Sequence, residues 1–278
     1  LKAALAWVAV VAVLIVPAGC GQGEGPGHRS QALALTAEQE LALGEKAYRE
    51  VLSKAQVISS GRDADRVRHI GESIARASEI KPLQREINLH IQPEYLQWEF
   101  KLLRDDHVNA FCLPGGKVAV FSGLLPVTQN DDQLATVMSH EIAHALAHHA
   151  NERIARQQMY ERAVRVAGGG ENADPSLIGV LAAGAAKVNS LAYDRKQESE
   201  ADHIGIFLMT FAGYDPRQAV VFWQRMEDLS NRRGHPPAIL SDHPSDAQRI
   251  HDIQQWVPQA EAAKKAFDEG RIAPDRGG

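Results

Sequence analysis

The amino-acid sequence predicts an α+β fold, mainly helical, with one small β-sheet. Three patterns predict it: apolar residues at helical spacing through most of the chain, a block of β-rich runs between residues 87 and 122, and a Pro-Gly-Gly turn inside that block. With 278 residues, 44% of them hydrophobic, the chain can bury a substantial single core. Thr36 to Lys54 should be a helix opened by a Thr36/Gln39 capping box. Asp63 to Glu79 should be a second, with Val67, Ile70 and Ile74 facing inward. Strands are expected over Ile87–Ile91, Gln97–Leu103, Val108–Leu113 and Lys117–Ser122, the last two joined by Pro114-Gly115-Gly116. Asn130, with Gln133 three residues on, marks the start of a helix running to about Val166 with a break. Gly168-Gly169-Gly170 reads as a loop and Pro175 to Leu191 as a small-residue apolar helix, whose Leu177–Ala186 stretch is too short to span a bilayer. Gln197–Thr210, Pro216–Leu229 and Ser245–Trp256 complete the helices, and no internal repeat is present.

The ends of the chain read differently. Lys2, an apolar run from Ala3 to Val16 and then Pro17-Ala18-Gly19-Cys20 have the plan of a secretory signal. Ala-Gly-Cys resembles the end of a bacterial lipobox, which would make Cys20 a lipidation site; an uncleaved membrane anchor is the alternative. The expected division is a lipoprotein signal peptide at 1–20, a flexible glycine-rich tether at 21–35, the folded domain at 36–257 and a charged C-terminal tail at 258–278. A net charge of −5 without a basic stripe argues against nucleic acid as a partner. Cys20 and Cys112 are not expected to pair, and Cys112 reads as a small packing residue.

His140-Glu141-Ile142-Ala143-His144 carries the chemistry. On a helix, positions i and i+4 share a face, so both imidazoles can reach one Zn²⁺ ion. Glu141 follows the first of them and can serve as general base for an attacking water. A third ligand is required. The best source is Glu198-Ser199-Glu200-Ala201-Asp202, where Glu198 and Asp202 are again an i,i+4 pair. One can bind zinc while the other accepts the second ring N–H of a ligand histidine. Glu200 points roughly 200° around the helix and should be solvated. His148 and His149 continue the active-site helix in packing or solvated roles, and the other histidines lack ligand spacing.

These motifs resemble the zinc metallopeptidase family that includes the CAAX prenyl protease and HtpX, and in particular its soluble OMA-type and periplasmic outer-membrane quality-control members. Besides HEIAH and Glu198-Ser-Glu-Ala-Asp202, the matching stretches are Glu38 to Gly44, Asn109-Ala-Phe-Cys-Leu-Pro-Gly-Gly116 and Asp242-His243-Pro244 with Arg249-Ile250. The resemblance covers about Thr36 to Ile253. It implies a zincin-like (gluzincin) domain with its sheet beside the HExxH helix, Glu198 as third zinc ligand, and Asp202 behind the ligands. It places His243 near the metal, where it either assists or occupies the open position; capping of the Ser245 helix is the bland alternative. His243 and Arg249 are the candidate donors to the oxyanion, with Tyr193 a weaker one.

The expected function is a zinc endopeptidase of the bacterial envelope, periplasmic and membrane-anchored through its lipid. Its substrates would be unfolded or misassembled envelope proteins, bound as an added strand along Val108–Phe121. A chaperone or assembly factor with a largely latent metal site is the alternative.

Overall fold

Alternation along two neighbouring strands sets the architecture. Ala110 and Cys112 of β5 (Ala110–Leu113) and Val118 and Val120 of β6 (Lys117–Phe121) enter one apolar cluster, while Phe111, Leu113 and Ala119 enter a second. The sheet is therefore buried on both faces. The computed structural model describes residues 22–25, 29–168, 194–233, 237–243 and 247–271. Its main sheet has the order β3-β4-β6-β5, with β3 at Val57–Ile58 and β4 at Glu99–Leu103. β4 runs parallel to β6, and β5 and β6 form an antiparallel hairpin. Gly115 and Gly116 both have φ of 81° in the turn of that hairpin, a conformation that favours glycine.

One face of the sheet receives α1 (Ala37–Lys54), and the other receives α2 (Arg62–Ser78) and α5 (Asp131–Leu146). The expected capping box is present on α1: Gln39 N donates to Thr36 Oγ1 and Thr36 N to Gln39 Oε1. The short helices α3 (Lys81–Glu86) and α4 (Leu125–Thr128) lead into β4 and α5. α6 follows at His149–Gly168, α7 at Arg195–Phe211, α8 at Arg217–Arg233, α9 at Ala238–Asp242 and α10 at Ala247–Asp268. Among the described residues no helix is long and apolar enough to cross a membrane.

The tightest helix packing joins α5 to α7, and Gly205 permits it. A Cβ there would lie 3.1 Å from His140 N and 3.3 Å from its Cα. Gly205→Val should therefore cost about 1–3 kcal/mol through overpacking, read as a lower urea midpoint. An unchanged midpoint would show that the two helices can separate freely.

Four expectations are corrected. Ile87–Ile91 is not a strand: Ile87 and Leu89 are buried and His90 is exposed, so the segment alternates, but among the described residues no strand pairs with it and Asn88 takes φ 48°. The break expected in the active-site helix falls at His148, which has φ 54° and separates α5 from α6, so His148 and His149 do not continue α5 as expected. Residues 29–35 are docked rather than a free tether. β2 (Arg29–Ala32) pairs with β1 (Gln22–Gly25), Gln31 Nε2 donates to Ala147 O, and Asn151 Oδ1 accepts from Ala34 N and Leu35 N. Finally, α10 continues past Pro258 to Asp268, with Ala260 buried and Phe267 packed on Phe211, so residues 258–268 are a helix docked on the core and not a tail. The signal peptide with Cys20, the Pro175–Leu191 helix and Tyr193 lie outside the described residues.

Candidate metal centre

Helix α5 starts where Asn130 Oδ1 accepts from Gln133 N, and α7 where the Asp194 carboxylate accepts from Gln197 N. Each cap fixes the helical phase that aims the site residues. His140, Glu141 and His144 project from α5, and Glu198 and Asp202 from α7. His243 follows α9, and Arg249 lies on α10. All of these are buried.

Ligand atoms of His140, His144, Glu198 and His243 lie within 4.8 Å of one another. His140 Nε2 is 3.0 Å from His144 Nε2 and 3.1 Å from His243 Nδ1. Glu198 Oε2 is 3.4 Å from His140 Nε2, and Oε1 is 3.4 Å from His144 Nε2 and 2.9 Å from His243 Nδ1. Three imidazole nitrogens facing one another beside a carboxylate form a donor set suited to a divalent cation. Glu198 Oε2 is buried without a hydrogen-bond partner, as an oxygen awaiting a metal would be. The residues present fit the metal that the sequence motif implies.

The electrostatics agree. Burial opposes ionisation of Glu198, but His243, His140 and His144 outweigh it and hold its carboxyl well below the usual range. Burial and neighbouring His140 push His144 well below its ordinary value, although Glu198 pulls the other way, so His144 is neutral as ligation demands. His140 is lifted to about 9, because Asp202 and Glu198 overcome its burial. A metal would have to displace that proton. Burial raises Glu141, against the pull of His243 and His140. Glu141 Oε1 sits 3.3 Å from His243 Nε2.

Asp202 Oδ1 lies 2.9 Å from His140 Nδ1, the ring nitrogen turned away from the cluster. Arg249 grips the same carboxylate, Nε to Oδ2 at 2.6 Å and Nη2 to Oδ1 at 2.8 Å, with its guanidinium carbon 3.5 Å over the Trp223 ring. Arg249 Nη1 also lies 3.4 Å from Glu198 Oε2, so the guanidinium contacts both acidic groups supplied by α7. His243 stands at the cluster instead of merely capping the next helix. Cys112 is a free, buried thiol pushed well above its usual pKa by burial and by nearby Glu141, which suits packing and not nucleophilic attack.

Glu200 is the clearest surprise. It is buried, not solvated, with Oε2 3.0 Å from His149 Nε2 and 2.7 Å from Arg29 Nη2. His149 in turn places Nδ1 2.8 Å from His144 Nδ1. The sequence signal for His149 is a histidine following a helix break; nothing local points to Arg29.

Residues 66–257 match Peptidase family M48. The chain is 40% identical over 185 residues to the mitochondrial metalloendopeptidase OMA1 of Schizosaccharomyces pombe, covering 62% of this chain and 50% of that protein. It is 30% identical over 245 residues to a putative beta-barrel assembly-enhancing protease of Vibrio cholerae, covering 84% and 47%. The beta-barrel assembly-enhancing protease of Escherichia coli is 27% identical over 240 residues, covering 83% and 46%. The chain thus spans about half the length of these curated relatives. With two α5 imidazoles, an α7 carboxylate and a match over most of its length, this chain belongs to peptidase family M48.

Proposed function

We propose that the chain is a zinc-dependent endopeptidase acting on unfolded or misassembled proteins of the bacterial envelope. The convergence of His140, His144 and Glu198, with Glu141 beside them, carries the reading. His140, His144 and Glu198 would hold the ion. When bound, zinc supplies a Lewis acid that polarises the scissile carbonyl and makes water easier to deprotonate. Glu141 accepts the proton of the attacking water and passes it to the leaving amine. Its raised affinity for a proton suits that double duty. Asp202, itself fixed by Arg249, lies against His140 Nδ1 and would hold a proton there, leaving Nε2 to bind the ion.

The substrate is held by strand addition. Phe121 N donates to Asn109 O, so the odd positions of β5 bond to β6, and the main-chain groups of Ala110 and Cys112 point to the other side, where Ala110 N donates to Asn109 Oδ1. Among the described residues no strand pairs with that side. A strand laid there pairs through its main chain, which suits unfolded clients of varied sequence. The expected lipid at Cys20 would hold the domain near a membrane, with its substrates in the periplasm.

His243 favours a second element, latency. Its Nδ1 lies among the ligand atoms, and Ile239 N, four residues earlier, donates to Val108 O at the start of the β5 edge. The same segment therefore reaches both the cluster of ligand atoms and one end of the strand, and would compete with water and substrate there. The test is cleavage of a fluorescent unfolded protein by zinc-loaded chain, before and after chelation, for wild type and His243→Ala. Chelation should abolish cleavage and added zinc restore it. His243→Ala should cleave several-fold faster, as about 1 kcal/mol of relieved closure would give. A chelator-insensitive rate would sink the zinc reading, and a slower His243→Ala would make this histidine an assistant instead of a plug.

A further inference from the structure

His144 presents one ring nitrogen, Nε2, to His140 and Glu198, which leaves Nδ1 on the far side. For Nε2 to offer a lone pair in a neutral ring, Nδ1 must carry the proton and must find an acceptor. The atom it meets is another imidazole nitrogen, His149 Nδ1 at 2.8 Å. That atom can accept only if His149 carries its own proton on Nε2. His149 Nε2 faces Glu200 Oε2 at 3.0 Å, a carboxylate that can receive it. Arg29 closes the chain, with Nε and Nη2 on Glu200 Oε2 at 3.0 and 2.7 Å and a second pair of bonds to Glu152. With zinc on His144 Nε2, each tautomer would be set by the next partner, and donation would run one way from His144 to Glu200.

We propose that His149, Glu200 and Arg29 are positioning residues for the metal centre, a relay that sets the His144 tautomer as Asp202 and Arg249 set that of His140. The inference rests on the zinc reading of the site and deepens it. The two ligand histidines are then supported unequally: His140 by a carboxylate directly, His144 through an interposed imidazole. The break at His148 makes this possible, because left-handed backbone there turns the chain between His144 and His149. The relay also recruits β2, so the segment before α1 becomes part of the site. Gln197 reinforces it from α7, its Nε2 donating to Glu152 Oε2 at 2.8 Å.

The test is zinc affinity of the full chain, measured by competition with a chromophoric chelator, with unfolding of the zinc-free proteins as a control for folding. His149→Phe keeps a ring of similar size but no acceptor, and should bind zinc about 10- to 100-fold more weakly. His149→Gln can accept from His144 through Oε1 and donate to Glu200 through Nε2, and should recover most of that loss. Arg29→Ala, on a partly exposed strand, should weaken binding by up to about tenfold. Wild-type affinity in both His149→Phe and Arg29→Ala would overturn the relay while leaving the zinc site intact. Equal losses in His149→Phe and His149→Gln would also overturn it, since packing alone would then explain them. A wild type that binds zinc no better than Glu198→Ala would remove the zinc reading and the relay with it.

Discussion

Glu141→Gln should give a folded protein that still holds zinc but cleaves an unfolded polypeptide about 10²- to 10⁴-fold more slowly. The carboxamide keeps the shape of the side chain and loses the one property the reaction needs, a site that takes up and returns a proton. Such a loss corresponds to about 3–5 kcal/mol of transition-state stabilisation. The structure singles out Glu141 for this role over the other carboxylates of the centre. Asp202 is occupied by Arg249 and His140, and Glu198 faces three imidazoles. Glu141 Oε1 is buried 3.3 Å from His243 Nε2, and burial raises its pKa, so it holds a proton more readily than an exposed carboxylate. Initial rates together with zinc content per chain check the prediction. A rate within tenfold of wild type would take the base role away from Glu141. The same variant separates catalysis from client binding: if cells carrying only Glu141→Gln behave as wild type, binding rather than cleavage is the main task.

The local rules are legible where a helix carries its own punctuation. The Thr36/Gln39 and Asn130/Gln133 caps stand where the residue types place them, and i,i+4 spacing brings His140 to His144 and aims Glu198 and Asp202 together. What stays hidden depends on backbone that sequence periodicity does not see. A break in the active-site helix is expected, but not its place: His148 in the left-handed region ends α5, and that turn makes His149 a neighbour of His144. The angle of Glu200 on α7 points it to solvent, which is sound for a lone helix. That angle cannot reveal that β2 from the far end of the chain lies over the same face with Arg29. Ile87–Ile91 fails as a strand for a related reason: alternation reports alternating burial, and an unpaired segment packed on a core alternates as well as a strand does. For Arg249 the pattern gives its place near the site and not the side from which it approaches.

Glu198→Ala should abolish the response of stability to zinc. In the wild type, zinc at about 100 times its dissociation constant should stabilise the fold by about 2.7 kcal/mol, because the ion binds the folded state. Removal of a direct ligand should weaken binding by more than about 100-fold, the upper end of what loss of an outer partner costs. At the same zinc concentration the stabilisation then shrinks to about 0.4 kcal/mol or less. The metal-free proteins provide the second comparison. Without an ion, Glu198 is the carboxylate that His140, His144, His243 and Arg249 all approach within 3.4 Å. Its loss leaves Arg249 and the His140 ring with Asp202 as their remaining carboxylate partner, so the metal-free variant should also unfold at lower denaturant. The two effects have different signatures. Chelation of the wild type reproduces the first and not the second, and urea unfolding with and without zinc for both proteins separates them. If Glu198→Ala kept the full zinc increment, the ion would be held by His140, His144 and His243 alone. His243 would then be a permanent ligand and not a removable plug.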